Sequence, residues 1–331
     1  MSGTSDASAV PRVTVVVPTY NRADDLPQAV DSLLNQTCDD WEMVIVDDAS
    51  SDDTFEVGAA YAARHPEKIT AFKLERNLGI GGARSAAIAA SRGSELIVLL
   101  DSDDYLRSDY VEHLLSVYDQ AVAAGRRIGI IACNGYIHTP EGVTGETFAE
   151  RFWWSDEIDV DRMLERNYIL ARAMFTRTAY NEVGEFSSEC LGYDDYDMWL
   201  RILEAGYEVA TTREPVAYYR VSPAGASRDQ AFMTRGGMTA LSRVLERSAV
   251  TPAQRRTVKA RLRHFRALRA RALFLDAVKR RQPLQAMLRG LEAAPTGLVA
   301  FLQHPSRWRE WAGDIRRTAR HRAGVGRNTL S

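Results

Sequence analysis

Five short runs, Val13–Val17, Met43–Val46, Ile69–Leu74, Leu96–Leu100 and Ile128–Cys133, are mostly apolar rather than alternating. Between them lie stretches with helical spacing. Asp24–Gln36 carries Leu26, Val30, Leu33 and Leu34 one to four residues apart, and Thr54–Arg64, the Ala-rich Ile80–Ser91 and Tyr110–Ala124 read the same way. A strand apolar on both faces must be covered on both faces, which a parallel sheet with crossover helices achieves. Strand alternating with helix is the signature of βαβ units. The chain is therefore expected to form an α/β fold with a Rossmann-like, mostly parallel sheet flanked by helices.

In open α/β sheets, ligands bind beyond the carboxyl ends of the strands. The first run ends in Pro18-Thr19-Tyr20-Asn21-Arg22, the second in Asp47-Asp48-Ala49-Ser50, the fourth in Asp101-Ser102-Asp103-Asp104. Carboxylates converging on one rim repel each other unless a cation sits among them. A hard divalent ion takes one or two carboxylates plus substrate phosphates. Asp101 and Asp103 thus point to Mn²⁺ or Mg²⁺ bridging to a diphosphate. Asp47 and Asp48 suit hydrogen bonds from a base or a ribose. Asp52 and Asp53 read as turn formers and helix N-caps. Leu78-Gly79-Ile80-Gly81-Gly82-Ala83-Arg84 opens a helix and half-matches a dinucleotide-binding loop, with Arg84 at the third glycine position. A helix start with an arginine favours phosphate or nucleotide, and glycines that let the helix pack closely on the sheet explain the same pattern.

Taken in order, V-V-V-P-T-Y-N-R, V-I-V-D-D-A-S-S-D-D-T, N-L-G-I-G-G-A-R and V-L-L-D-S-D-D-Y-L resemble the inverting family-2 glycosyltransferases of the GT-A fold over residues 12–228. The resemblance implies a nucleoside-diphosphate sugar as donor, with UDP as the favoured nucleotide. Pro18, Thr19 and Tyr20 would line the base, Asp48 would accept from it, and Arg84 would contact the nucleotide. Asp101 would reach the ribose and Asp103 the metal, with Asp104 able to share either role. Arg22 and Ser102 stand in the same motifs and belong to the nucleotide-sugar site. Gly192-Tyr193-Asp194-Asp195-Tyr196-Asp197-Met198-Trp199-Leu200-Arg201 is similar to the family's E-D followed by W-L-x-R, with Asp194 in place of Glu. Asp195 would be the catalytic base, with Asp194 the other candidate. A histidine common in the family near Val221 and Ser222 is missing, which leaves Arg220 or Arg228 for the phosphates. A sugar-1-phosphate nucleotidyltransferase would need a glycine-rich loop where P-T-Y-N-R stands. A catalytically silent binding scaffold fits poorly with Asp103 and Asp195 together.

The alternation stops after Asn134. His138–Gly145 reads as a turn-rich loop, Ile169–Thr176 and Val216–Val221 as strands, and Asp194–Ala205 as a helix stopped by Gly206. Trp199 reads as core, and Trp153 and Trp154 as core or as contacts to the acceptor. The expected organisation is a leader over 1–11, a GT-A domain over 12–235 and a mostly helical basic region over 236–331. The domain divides into a nucleotide-sugar half, 12–134, and an acceptor half, 135–235. From about Met238 the helical period dominates, interrupted at Pro252, Pro283, Pro295 and Pro305.

The net charge of −2 conceals an asymmetry: residues 236–331 hold 21 Lys/Arg against 5 Asp/Glu, and the rest holds 21 against 39. Residues 255–281 form an amphipathic basic stretch with Val258, Leu262, Phe265 and Leu273 on one stripe. Such a helix lies on an anionic membrane or packs on the acidic domain. The first reading suits a lipid-linked or cell-envelope acceptor, and the acceptor is expected to be a saccharide, a lipid-linked saccharide or a natural product. A nucleic-acid partner is not expected, since no reading module accompanies the charge. Composition, 45% hydrophobic and 26% charged, excludes collagen, coiled coil and wholesale disorder. No apolar run approaches the roughly 20 residues of a membrane span. The polar N-terminus lacks the regions of a secretory signal, and three scattered cysteines suggest neither disulfides nor zinc. The expectation is a cytoplasmic protein, or one peripheral on the inner face of the membrane.

Overall fold

A computed structural model describes residues 10–152, 154–221, 229–247 and 250–280. The chain divides into two compact units, Met1–Leu262 and Arg263–Ser331. The expectations for residues 1–9, Trp153, Ser222, Arg228, Arg281 and the prolines after it lie outside the described residues.

In chain order the elements are β1 (Val13–Thr19), α1 (Leu26–Leu34), β2 (Trp41–Asp47), α2 (Thr54–Arg64), β3 (Ile69–Lys73), α3 (Gly79–Ala90), β4 (Leu96–Leu99), β5 (Tyr105–Leu106), α4 (Tyr110–Ala123) and β6 (Ile128–Thr139). Then follow β7 (Gly142–Thr147), α5 (Phe148–Arg151), α6 (Val160–Glu165), β8 (Met174–Thr176), α7 (Arg177–Val183), α8 (Asp194–Glu204), β9 (Glu208–Arg220), α9 (Gln230–Glu246) and α10 (Pro252–Lys279). The expected strands and helices up to β4 fall within a few residues of these. Every residue of β1 and of β2 is buried, as continuous apolar strands require.

Among the described residues the sheet has nine strands, in the order β3-β2-β1-β4-β8-β6-β9-β5, with β7 beside β6. β1 is parallel to β2 and β4, β2 to β3, and β6 to β9. The short β8 runs antiparallel between β4 and β6, so β6 does not continue the βαβ series beside β4. Pro18 lies inside β1, opposite Val46, but pairing with β4 stops at Val16↔Leu99. The donor that proline lacks therefore costs β4 nothing.

Three stretches after Asn134 differ from expectation, the shortest being 169–173, which is turn rather than strand, so that β8 begins only at Met174. Pro140-Glu141 forms a tight turn with Gly142 at φ +118°, making 138–145 a hairpin between β6 and β7 rather than a loop. β9 begins at Glu208, eight residues before the expected Val216. Its polar first half pairs with β6 through register shifts around Asn134, which stands opposite Pro215, and the Asn134 amide donates to the Arg213 carbonyl at 3.0 Å. The side chain thus satisfies a carbonyl that the register shift leaves without a ladder partner.

The core gathers Val13, Val15, Val17, Leu26, Val30, Leu33, Met43, Ile45, Leu96 and Val98 between β1, β2, β4 and α1. Trp199 is fully buried, edge-to-face with Phe175 at 5.3 Å, and so is core as expected. The three cysteines are free. In α10, Val258, Leu262 and Phe265 are buried while Arg256, Lys259, Arg263 and Arg266 are exposed.

Candidate active site

The carboxyl ends of β1, β2 and β4 carry the three polar clusters read from the sequence. Asn21, at φ +52°, pins the β1 loop to the β2 loop: its N–H donates to Ser50 Oγ at 2.8 Å, and its Oδ1 accepts from Ser51 N–H at 2.9 Å. Asn tolerates this left-handed backbone better than most residues. Arg22 N–H donates to Thr54 Oγ1 at 2.8 Å. Pro18 and Thr19 are buried, and Tyr20 is 49% exposed at the mouth. Asp47 accepts from the Ser50 backbone and hydroxyl and lies 3.5 Å from Lys73. Asp52 accepts from Thr54 N–H at 3.2 Å, a capping bond at the start of α2, while Asp53 makes no side-chain cap.

Asp48 is 4% exposed, and both its oxygens are occupied by the chain itself. They accept from Leu78 N–H at 2.7 Å and Gly79 N–H at 2.9 Å. The carboxylate fixes the entry of α3, and α3 in turn delivers Arg84. Arg84 is 2% exposed and bridges two acids distant in sequence: Nη1 donates to Asp194 at 2.7 Å and Nη2 to Asp101 at 2.7 Å.

The Asp101–Asp104 run splits by partner. Burial raises the Asp101 carboxyl, but Arg84 and Arg172 more than offset it and hold it below the usual range. Ser102 is buried. Asp103 keeps a quarter of its side chain exposed, 3.6 Å from Arg22, and is pushed up by burial and by the charge of Asp101. Asp104, grouped with Asp103 from its place in the run, is instead 3% exposed, ion-paired with Arg172, and accepts from Arg220 N–H at 2.8 Å. Arg172 itself is 3% exposed, with its guanidinium 5.0 Å over the Tyr219 ring. Sequence reasoning passed over it, although an arginine inside I-L-A-R-A-M-F is a visible signal. Arg220 turns its guanidinium to Asp25 at 3.0 Å and to Gln28.

Across the site, α8 starts at Asp194, whose side chain is spent on Arg84. Asp195 is half-buried, accepts from Tyr196 N–H at 2.6 Å, and has no ion-pair partner among the described residues. Burial and the neighbouring Asp194 push its carboxyl up to about 7, against the pull of Arg84.

The family model "Glycosyl transferase family 2" matches residues 14–184, a span that contains the carboxyl ends of β1, β2 and β4, Arg84 and Arg172. The chain belongs to glycosyl transferase family 2. Chondroitin synthase of Escherichia coli is 32% identical over 209 residues, 60% of this chain and 27% of that protein. The first curated relatives it matches are thus much longer than the part this chain spans. The E. coli "UDP-Glc:alpha-D-GlcNAc-diphosphoundecaprenol beta-1,3-glucosyltransferase WfaP" is 27% identical over 219 residues, 66% of this chain and 80% of that protein. The mannosyltransferase PcManGT of Pyrobaculum calidifontis, solved with GDP-Man and Mn²⁺, aligns at a TM-score of 0.60 and 21% identity, covering 92% of this chain and 84% of that one. The fold of this family-2 chain is that of the GT-A glycosyltransferases.

A divalent cation fits the donor set at Asp103, a part-exposed hard-oxygen ligand whose nearest cation is Arg22 at 3.6 Å. Among the described residues no group of three His, Cys, Asp or Glu could hold a metal by itself. An ion at Asp103 would take further oxygens beyond these groups, such as those of a diphosphate. Of the tryptophans considered for the acceptor side, Trp154 is half-buried and donates to Asp156 at 2.7 Å.

Proposed function

We propose that this chain transfers a sugar, with inversion, from a nucleoside-diphosphate sugar to an acceptor hydroxyl, with Asp195 as general base. The observation that carries the reading is the pairing of the two acids at the start of α8. Asp194 is paired with Arg84, while Asp195 has no guanidinium paired with it among the described residues and is pushed up to about 7. A base poised near the working pH combines a useful deprotonated fraction with useful basicity.

In the mechanism, Pro18, Thr19 and Tyr20 line the nucleotide base. Asp48 acts on the pocket through the Leu78–Gly79 loop that it holds. Asp101 and Ser102 face the ribose side, and Arg84 keeps Asp101 ionised to accept a hydroxyl. Arg22, part-exposed beside Asp103, meets the diphosphate. Mn²⁺ or Mg²⁺, held by Asp103 with the diphosphate, would neutralise charge on the leaving group. Asp195 takes the proton of the acceptor hydroxyl as its oxygen attacks the anomeric carbon. Proton abstraction by a positioned base contributes about 10²–10⁴-fold. Asp194 orients the helix start and stays bound to Arg84.

The UDP-Glc in the printed name of WfaP supports a UDP-sugar donor, and its diphosphoundecaprenol supports a lipid-linked saccharide acceptor of the cell envelope. Residues 255–281 would meet an anionic membrane through the exposed Arg256, Lys259, Arg263 and Arg266. Val258, Leu262 and Phe265 of the apolar stripe are buried, so this contact is electrostatic. No helix among the described residues is long and apolar enough to cross a membrane. The test is a thermal-shift screen of UDP, dTDP, GDP and CMP with and without Mn²⁺. A shift with UDP that needs Mn²⁺ and is lost in Asp103→Ala is expected, and no shift with any nucleotide would refute the donor site.

A further inference from the structure

Helix α9 presses on the loop that leads into Asp194 and Asp195. A Cβ placed on Gly236 would overlap the Leu191 carbonyl oxygen and lie 2.8 Å from the Leu191 carbonyl carbon. Gly236 and Leu191 are thus in backbone-to-backbone contact, an approach only glycine permits. One residue on, Gly192 sits at φ +68°. A Cβ there would lie 2.9 Å from Met233 Sδ and 3.1 Å from Phe232 Cε1, both on α9. The turn is closed by Tyr193 N–H donating to the Cys190 carbonyl at 2.6 Å.

A second contact grips α8 just after the two acids. Asp197 is fully buried and is the shared partner of three guanidiniums. Arg201 of its own helix lies at 2.9 Å, Arg247 just past α9 at 3.0 Å, and Arg243 of α9 at 3.4 Å. Arg247 also pairs with Glu204, and Arg243 with Glu189. Asp194 and Asp195 are thereby bracketed: the loop before them rests on Gly236, and the helix after them is tied to Arg243 and Arg247. None of the described contacts of Gly236, Arg243 or Arg247 touches Asp101, Asp103 or Asp104 across the site.

The geometry points to α9 as the element that positions the base. Gly236 and the Asp197–Arg243–Arg247 cluster set where Asp195 stands relative to the donor rim, without touching substrate themselves. This rests on the reading of Asp195 as the base. A buried backbone contact cannot absorb a methyl group without one side moving. A shift of about 1 Å in a reacting group costs about 10²-fold in rate. Removing either contact should therefore slow the transfer and leave nucleotide binding alone, which a role in general folding would not do.

The test uses the full chain with Gly236→Ala, Arg247→Gln and Arg247→Lys, and with Asp195→Asn as reference. UDP affinity with Mn²⁺ is read by calorimetry, and kcat and KM by sugar transfer. The expected result is a kcat lowered at least tenfold in Gly236→Ala and Arg247→Gln, UDP affinity within twofold of wild type, and partial recovery in Arg247→Lys. Should Gly236→Ala fail to fold, Arg247→Gln decides, since Arg247 lies near the surface with 22% of its side chain exposed. Folded variants with kcat within twofold of wild type would overturn the proposal, as would a parallel loss of UDP affinity. If Asp195→Asn retains full activity, the base reading itself fails, whatever the α9 variants show.

Discussion

Arg84 Nη1 donates to Asp194 at 2.7 Å across 110 residues of sequence, and its other arm holds Asp101 at the same distance. One buried guanidinium therefore joins the loop after β4 to the start of α8, which carries Asp195, the proposed base. Removing one partner of a buried ion pair leaves an unpaired buried charge, a loss of about 3–5 kcal/mol. Arg84→Met leaves Asp194 unpaired and Asp101 with only the more distant Arg172, at 4.0 Å. It should lower the denaturation midpoint in urea strongly, and any folded fraction should lose activity by more than tenfold. Wild-type stability in this variant would show that the bridge does not form.

Asp103 and Asp104 should separate cleanly despite being adjacent. Asp104→Ala strips Arg172 of its buried partner and should destabilise the fold by about 3–5 kcal/mol in urea unfolding. Asp103→Ala removes a part-exposed carboxylate raised by its surroundings, so folding stability should hold or rise slightly. The Mn²⁺ dependence of nucleotide binding should disappear. If Asp104→Ala removes the Mn²⁺ dependence with stability intact, Asp104 rather than Asp103 is the metal ligand.

The raised Asp195 carboxyl has consequences for both rate and stability. The base works only when deprotonated, so kcat/KM should climb tenfold per pH unit below about 7 and level off above it. The folded carboxyl holds its proton up to about pH 7, while the unfolded one releases it in the ordinary carboxylate range. Between those values the folded state binds more protons, so this residue's contribution to stability is lost as pH rises through the window. Asp195→Asn cannot ionise. It should melt a few degrees above wild type at pH 8 and converge with it at pH 4, as followed by calorimetry. Equal melting at pH 8 would mean the carboxyl is not perturbed.

The α/β alternation and the acid clusters were legible because each depends on neighbouring residues: an apolar strand, a turn, two or three carboxylates. β8 was not legible as an antiparallel insertion, since three residues carry no directional signal. Nor was the first half of β9, whose polar Thr-Thr-Arg-Glu-Pro is held by Asn134 of another strand. Within the site, Asp195 stood out by motif, while the partners of Asp104 and Arg84 depend on contacts between distant segments. Arg172 meets Asp104 across 68 positions, and a single sequence holds no record of such a pairing. Gly236 carries no signal of its own in the sequence, because what makes it matter is Leu191, 45 positions away and against it in the fold.

The basic face of α10 gives a prediction about surfaces. With Val258, Leu262 and Phe265 buried, binding to vesicles containing anionic lipid should vanish at about 0.5 M salt, because charge attraction is screened within about 4 Å there. Arg256→Glu with Lys259→Glu should weaken co-sedimentation with those vesicles at low salt. Salt-resistant binding would instead require insertion of an apolar stripe.

The central claim, that Asp195 takes the acceptor's proton, is tested most directly by comparing Asp195→Asn with wild type in single-turnover sugar transfer and in UDP–Mn²⁺ calorimetry on the same preparations. The account predicts a rate lower by about 10²–10⁴-fold with nucleotide affinity unchanged within twofold. Transfer at the wild-type rate in a folded, nucleotide-binding Asp195→Asn protein would contradict it.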